Sequence, residues 1–332
     1  MTPSTALDVS RRMTDSSVAP PAGSRPGTSA AAEERVSVDA FLVRAREATD
    51  RALERALDEV LPAVPAALAE PVRYAVLGSG KRFRPALVLA AYEAAGGRSA
   101  AIADLAAAVE IVHAYSLVHD DLPCMDNDDL RRGRPTLHRA FDVRRATEAG
   151  FAMVPVAAAA LARGARLMSL ASAARREVEL LLFRAAGAGG MIGGQVLDLV
   201  APGCEPSRQA MTDIDERKTG ALIAASVEIG AVAAGAPSAT RAAYRAYGEE
   251  VGLAFQIADD VLDVTATSEQ LGKTPGKDAK LGKPTFPQLL GVEGAAREAE
   301  RLAERAVAHL EAARVSSPLL AALARFVVAR RS

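Results

Sequence analysis

The 332-residue sequence has no tryptophan, and its five tyrosines and eight phenylalanines bring the aromatic share to only 4%. Sheets rely on aromatic and β-branched side chains, whereas this chain is dominated by alanine-rich blocks with leucine, arginine and glutamate, all good helix formers. Cysteine is equally scarce: Cys124 and Cys204 are the only two. They form neither a disulfide scaffold nor a metal-ligand pattern, which points to a reducing, cytoplasmic setting. Neither sign of charge dominates, since the formal net charge is −1, and a general electrostatic attraction to nucleic acid is excluded. The longest apolar run, residues 152–162, is broken by Pro155 and falls short of the ~20 residues that span a bilayer. No membrane insertion is expected. Any anion chemistry must come from local clusters of charge.

Half of the residues are hydrophobic, enough for a large core. Residues 1–35 are rich in Ser, Thr, Pro and Ala without an apolar period and read as a disordered leader. Asp8, Asp15 and the lack of an apolar stretch argue against a targeting peptide. From residue 36 to 332 the pattern is helical almost without pause. Phe41, Leu42, Ala45, Ala48, Ala52, Leu53, Ala56, Leu57 and Val60 recur at helical spacing until Pro62. Similar patterns cover 85–95, 100–121, 147–167, 175–199, 208–234, 239–264, 295–313 and 319–329, separated by Gly- and Pro-containing breaks. No run alternates with period two for long enough to predict a strand. The expectation is an all-α fold, one contiguous bundle with no internal linker.

Two aspartate clusters stand out. The first is Asp120, Asp121 and Asp126, followed by Asp128 and Asp129; the second is Asp259, Asp260 and Asp263. Asp259 and Asp263 are four apart, so both carboxylates are expected on one helical face, with Gln256 in the same stripe. His113 precedes Asp120 by two helical turns, and Pro123 loosens the helix so that Asp126 can come round. Like charges held this close repel unless neutralised, and Mg²⁺, taking one or two carboxylates plus phosphate oxygens, is the natural counter-ion. Each cluster is followed by cations: Arg131, Arg132 and Arg134 after the first, Lys273, Lys277 and Lys283 after the second. Upstream lies Gly78-Ser79-Gly80-Lys81-Arg82-Phe83-Arg84-Pro85. Guanidinium forks and lysine point charges are what diphosphate oxygens need. A P-loop is not indicated, because position 75 is Ala and Arg82 occupies the place of the metal-binding hydroxyl.

These residues resemble the trans-isoprenyl diphosphate synthases over roughly residues 40–330. The markers are GSGKRFRP from Gly78, EIVHAYSLVHDDLPCMDNDDLRRGRPT from Glu110, GGQVLDL from Gly193, KTG from Lys218, and FQIADDVLDV from Phe255. The resemblance implies antiparallel helices around a deep central cavity, as a homodimer. It implies that Lys81, Arg84, His113 and Arg132 bind isopentenyl diphosphate, with Gly80 allowing close backbone approach. Asp120 and Asp126 would hold two Mg²⁺ and Asp259 a third, about three ions per site in all, bridged to an allylic diphosphate. Arg131, Lys218, Thr219, Gln256, Lys273 and Lys283 would contact the allylic substrate, and Asp121, Asp260 and Asp263 complete the acidic motifs. GSGKRFRP departs from the Gly-Gly pair of many members, and Arg144-Arg145 replaces a stretch that is usually small or polar.

The implied reaction is ionisation of the allylic diphosphate, attack by the isopentenyl double bond and loss of a proton, with no nucleophilic side chain required. Tyr115 lies five residues before Asp120, roughly 7.5 Å along a helix at ~1.5 Å per residue. Together with the small Ser116 it is expected to form the cavity floor, which favours the C15 product farnesyl diphosphate, with C20 geranylgeranyl diphosphate the alternative. Two other readings are a class I terpene cyclase, which needs no second diphosphate pocket, and a catalytically silent partner subunit, which would have lost an aspartate cluster.

Overall fold

The structure, a computed structural model, describes residues 27–201, 203, 207–265 and 283–329. It is almost wholly helical: α1 (Gly27–Val60), α2 (Ala66–Val76), α3 (Phe83–Ala94), α4 (Ile102–Asp120), α5 (Leu137–Ala140), α6 (Val143–Leu167), α7 (Ser172–Ala186), α8 (Met191–Val200), α9 (Arg208–Asp215), α10 (Ala221–Ala233), α11 (Ser238–Thr265), α12 (Phe286–Leu290), α13 (Val292–Ala312) and α14 (Pro318–Ala329). The all-α bundle is as expected. The first helix, however, begins at Gly27, so residues 27–35 are helical rather than part of an irregular leader. Ala30 to Arg35 is a run of good helix formers, which the leader's overall composition conceals.

α4 and α10 are apolar around nearly their whole circumference and are buried accordingly. Leu105, Ile111 and Val112 of α4 are fully buried, as are Leu222, Ile223 and Val227 of α10. α4 packs against α6, α1 and α3, and α10 against α3, α11 and α7. α11 in turn lies along α13, where Leu302, Ala303 and Ala306 close a second apolar layer. The helices α1, α6, α11 and α13 show one buried stripe each, the pattern of elements that wrap a core.

Three expected boundaries change. The segment predicted as one helix over 175–199 breaks into α7 and α8 at Gly187–Gly190, where three glycines in four residues cannot sustain helical backbone. The segment over 208–234 is interrupted by a single π turn, Glu216–Gly220, between α9 and α10. Residues Leu130–Arg131 and Arg134–Pro135 form a two-stranded antiparallel hairpin, too short for any period-two pattern to reveal. Its turn residues Arg132 and Gly133 both have positive φ, 54° and 75°, the primed turn that matches strand twist.

Three helical stretches, Ile102–Asp120, Val143–Leu167 and Ser172–Val200, are long and apolar enough by length and composition to cross a membrane. The sequence reading counted only uninterrupted apolar runs and so did not register them. For α4 the apolar surface has another use: 83% of its most apolar window is buried inside the bundle.

Tyr247 on α11 is fully buried, and its hydroxyl donates to the Leu320 carbonyl of α14 at 2.7 Å. Burial pushes its pKa far above the usual phenol value, so the group stays a neutral donor. Tyr247→Phe removes this buried hydrogen bond while the Leu320 carbonyl stays within its helix, and is expected to cost about 0.5–1.5 kcal/mol. Urea unfolding measures this as a lowered midpoint at unchanged slope; an unchanged midpoint would contradict it.

Candidate active site

A cavity of about 1050 Å³ opens between α1, α3, α4, α11 and α14 and is lined by both aspartate clusters and by the basic stretches. α4 ends at Asp120, and the following loop turns back so that the Asp126 backbone N–H donates to the Asp120 carbonyl at 2.8 Å. This is how Asp126 comes round to the cavity beside Asp120 despite the longer spacing. Asp259 and Asp260 of α11 face it from another wall, and Asp128 and Asp198 also line it. Burial, then the neighbouring Asp126 and Asp121 carboxylates against the pull of Lys218 and Arg131, pushes the Asp120 carboxyl up to about 6. Burial outweighs the counter-charge that reaches this carboxylate.

The cations meet these groups directly. Lys218 Nζ and Lys283 Nζ each donate to Asp198 Oδ2 at 2.7 Å, and Lys283 also reaches Asp126 at 3.4 Å. Asp198 titrates below the usual carboxylate range because these two ammonium groups outweigh its burial. The hairpin aims Arg131 at Asp121, through its Nε at 3.1 Å and a shorter Nη2 contact, and at Asp128 at 3.3 Å. Arg132 Nη1 donates to the Ser79 carbonyl at 2.7 Å, bringing the hairpin against the loop that carries Gly80 and Lys81. A methyl group on Gly80 would lie 2.2 Å from that guanidinium, so the contact requires glycine. Arg84 Nη1 lies 3.3 Å from His113 Nε2. Burial and the surrounding arginines hold the His113 pKa well below its usual value, so the ring is neutral.

The π turn places Lys218 and Thr219. α8 presses on it so closely that a methyl group on Gly194 would stand 2.2 Å from the Lys218 backbone nitrogen. Thr219 Oγ1 donates to Gln256 Oε1 at 2.9 Å, Gln256 Nε2 donates to Asp260 Oδ1 at 3.1 Å, and the Phe286 N–H donates to Asp260 Oδ2 at 3.2 Å. The Gln256 amide is thus held by Thr219 and Asp260.

Of the expected site residues, Gly80, Lys81, Arg84, His113, Asp120, Asp126, Arg131, Arg132, Lys218, Thr219, Gln256, Asp259, Asp260 and Lys283 all line the one cavity. Lys273 and Lys277 lie outside the described residues. Asp121 and Asp263 are buried and are not among the lining residues. Asp263 lies one helical turn, about 6 Å of rise, beyond Asp259 and is buried rather than at the cavity. Tyr115 and Ser116 are not among the lining residues either. Tyr115 is buried, its hydroxyl donating to the Ala186 carbonyl at 3.5 Å and its ring 6.0 Å from that of His119; Ser116 Oγ donates to the His113 carbonyl at 2.9 Å.

The sequence reading passed over Asp198, whose only signal was its place in GGQVLDL, and the stacked rings of Phe83 and Phe255, 5.6 Å apart on the cavity wall. The oxygen donors Asp120, Asp126 and Asp259 suit a hard divalent cation. Among the described residues no three His, Cys, Asp or Glu side chains converge closely enough to hold a metal alone. That fits carboxylates that complete a cation's shell only together with phosphate oxygens.

The polyprenyl synthetase family model matches residues 65–317. The chain belongs to that family. It is a transferase, a prenyl diphosphate synthase of the short-chain kind. Among polyprenyl synthetases it is 41% identical over 263 residues to geranylgeranyl pyrophosphate synthase 4 of Arabidopsis thaliana, covering 78% of this chain and 70% of that protein. It is 39% identical to a dimethylallyltranstransferase of Fischerella ambigua, covering 87% of this chain and 83% of that one. The solved structure of an FPP/GFPP synthase from Zymomonas mobilis superposes with a TM-score of 0.76 at 36% identity, over 89% of this chain and 99% of that chain. A geranyltransferase from Helicobacter pylori, complexed with magnesium and isoprenyl diphosphate, superposes with a TM-score of 0.71 at 32% identity, over 92% and 98%.

Proposed function

We propose that the cavity binds two diphosphates side by side and joins their prenyl groups. The observation that carries this reading is the division of its lining into two charged sets. Lys81, Arg84, His113 and Arg132 form a cationic pocket for isopentenyl diphosphate. Asp120, Asp126 and Asp259, with Arg131, Lys218 and Lys283, receive the allylic diphosphate, and Lys273 is proposed to join them. Mg²⁺ fits the carboxylate donors, and when bound it neutralises the leaving diphosphate as a Lewis acid.

Lys218, Lys283 and Arg131 are already held by Asp198 and Asp121 in place to receive phosphate oxygens, which is preorganised electrostatic stabilisation of the developing diphosphate charge. Once the allylic carbon–oxygen bond has broken, the cation lies near Thr219 and the Gln256 amide, whose orientation Asp260 fixes. Phe83 and Phe255 help exclude water from it. The isopentenyl double bond then adds to the cation, and the lost proton goes to the departing diphosphate. The second cationic pocket favours this condensation over a cyclase, and two intact aspartate clusters favour a catalytic chain over a silent subunit.

For the product, the reading is farnesyl diphosphate, with geranylgeranyl diphosphate the alternative. The shorter chain rests on the sequence position of Tyr115, five residues before Asp120; its ring is packed behind the lining rather than on it, and the relatives' names include synthases of both lengths. A homodimer is the proposed assembly. Ile192, Val196 and Val200 form an exposed apolar stripe on α8, the helix that turns Asp198 to the cavity, and Phe151 of α6 is 67% exposed.

Asp120→Ala and Asp259→Ala are each expected to lower turnover by about two to three orders of magnitude at unchanged helical circular dichroism. Near-normal turnover in both would overturn the carboxylate roles. Tyr115→Ala is expected to lengthen the products resolved by chromatography, and an unchanged distribution would remove it as a floor. Sedimentation of the native chain is expected to give a dimer that Val196→Glu dissociates; a monomeric native chain would refute the assembly.

A further inference from the structure

Arg82 stands between Lys81 and Arg84, yet its own side chain is only 4% exposed. Its Nε donates to Asp50 on α1 at 2.8 Å and its Nη1 to Glu110 on α4 at 2.7 Å. Its Nη2 donates to the carbonyl of Gly78 at 2.8 Å, with that of Val76 at 3.4 Å. All three guanidinium nitrogens are therefore engaged within the protein. The Arg82 backbone is left-handed, φ 49° and ψ 39°, a conformation that a residue with a Cβ keeps only when its surroundings enforce it. The turn it makes reverses the chain between the exposed Lys81 and the start of α3, so that Lys81 and Arg84 both line the cavity. Glu110, itself 2% exposed, does more than pair with Arg82. Its charge also supports the Arg132 guanidinium against burial, and Arg132 in turn holds the Ser79 carbonyl of the same loop.

We propose that Arg82 and Glu110, anchored by Asp50, are positioning residues that set the geometry of the isopentenyl diphosphate pocket without contacting the diphosphate. The proposal rests on the reading that Lys81, Arg84 and Arg132 form that pocket. A carboxylate buried beneath a cationic pocket would weaken anion binding if it acted by charge alone. Here it acts through what it holds: one acid fixes the turn that aims Lys81 and Arg84, and steadies the arginine that closes the pocket from the hairpin side. The Asp126 and Asp259 side of the cavity has no share in these contacts, so the effect is confined to one of the two substrates.

The test is steady-state kinetics in both substrates on Glu110→Gln, Arg82→Lys and Asp50→Asn, with Lys81→Ala and Arg84→Ala as references. Glu110→Gln and Arg82→Lys are expected to raise KM for isopentenyl diphosphate about tenfold or more, while KM for the allylic diphosphate stays within about twofold. Asp50→Asn, at the half-exposed end of the network, is expected to show the same split at about threefold and keeps the test alive if a buried variant fails to fold. Because positioning acts through Lys81, the Glu110→Gln, Lys81→Ala double variant should lose less than the product of the single losses. An equal loss in both substrates, or strict multiplication in the double variant, would overturn the proposal. If Lys81→Ala and Arg84→Ala leave KM for isopentenyl diphosphate unchanged, the pocket assignment itself fails; if they raise it while the Glu110, Arg82 and Asp50 variants do not, only the positioning role fails.

Discussion

Carboxylates gathered in one partly buried cavity repel one another, and the rest of the molecule is arranged around that constraint. Two unit charges 4 Å apart interact by about 4 kcal/mol at an effective dielectric of 20, more than the burial of a leucine side chain contributes. Asp120 is pushed up to about 6 first by burial, with the neighbouring Asp126 and Asp121 carboxylates adding to it. The chain answers with cations that already have partners: Lys218 and Lys283 on Asp198, Arg131 on Asp121 and Asp128. Each such cation is held at the cavity's edge by an acid of the chain itself and can share its donors with an incoming phosphate. The arrangement neutralises the protein before substrate arrives and stays oriented when it does.

Holding so many charges in register requires a rigid support, and the bundle supplies it by burying α4 and α10 on all sides. Their ends meet the cavity at Asp120 and at the π turn. Between them, the functional side chains are held by the ends of helices rather than by long loops. The hairpin and the segment 78–82 are irregular and are tied down by arginines, and Asp126 and Lys283 also reach the cavity from non-helical segments.

Much of this was legible in the sequence because charge and helical period are local properties. Asp120, Asp126 and Asp259 were marked by spacing, and Lys81, Arg84 and Arg132 by their clustering beside glycine. What was not legible depends on how elements meet. The hairpin is too short to leave a pattern; the π turn inserts itself within continuous helical periodicity; and the break at Gly187–Gly190 fell inside a segment whose apolar spacing carried across it. Asp198 reads as an ordinary helical acid until α8 is packed against Lys218. Asp263 shows the opposite failure: the four-residue spacing was real, but periodicity does not say where along its axis a helix leaves a cavity.

The six-residue hairpin has a mechanical consequence. Arg131 points to the acids of one pocket and Arg132, its neighbour in the chain, reaches across to the loop of the other. A two-residue primed turn has almost no slack. The acids Asp121 and Asp128 and the loop that carries Gly80 and Lys81 are therefore tied to one short hairpin, their two anchors neighbours in the chain.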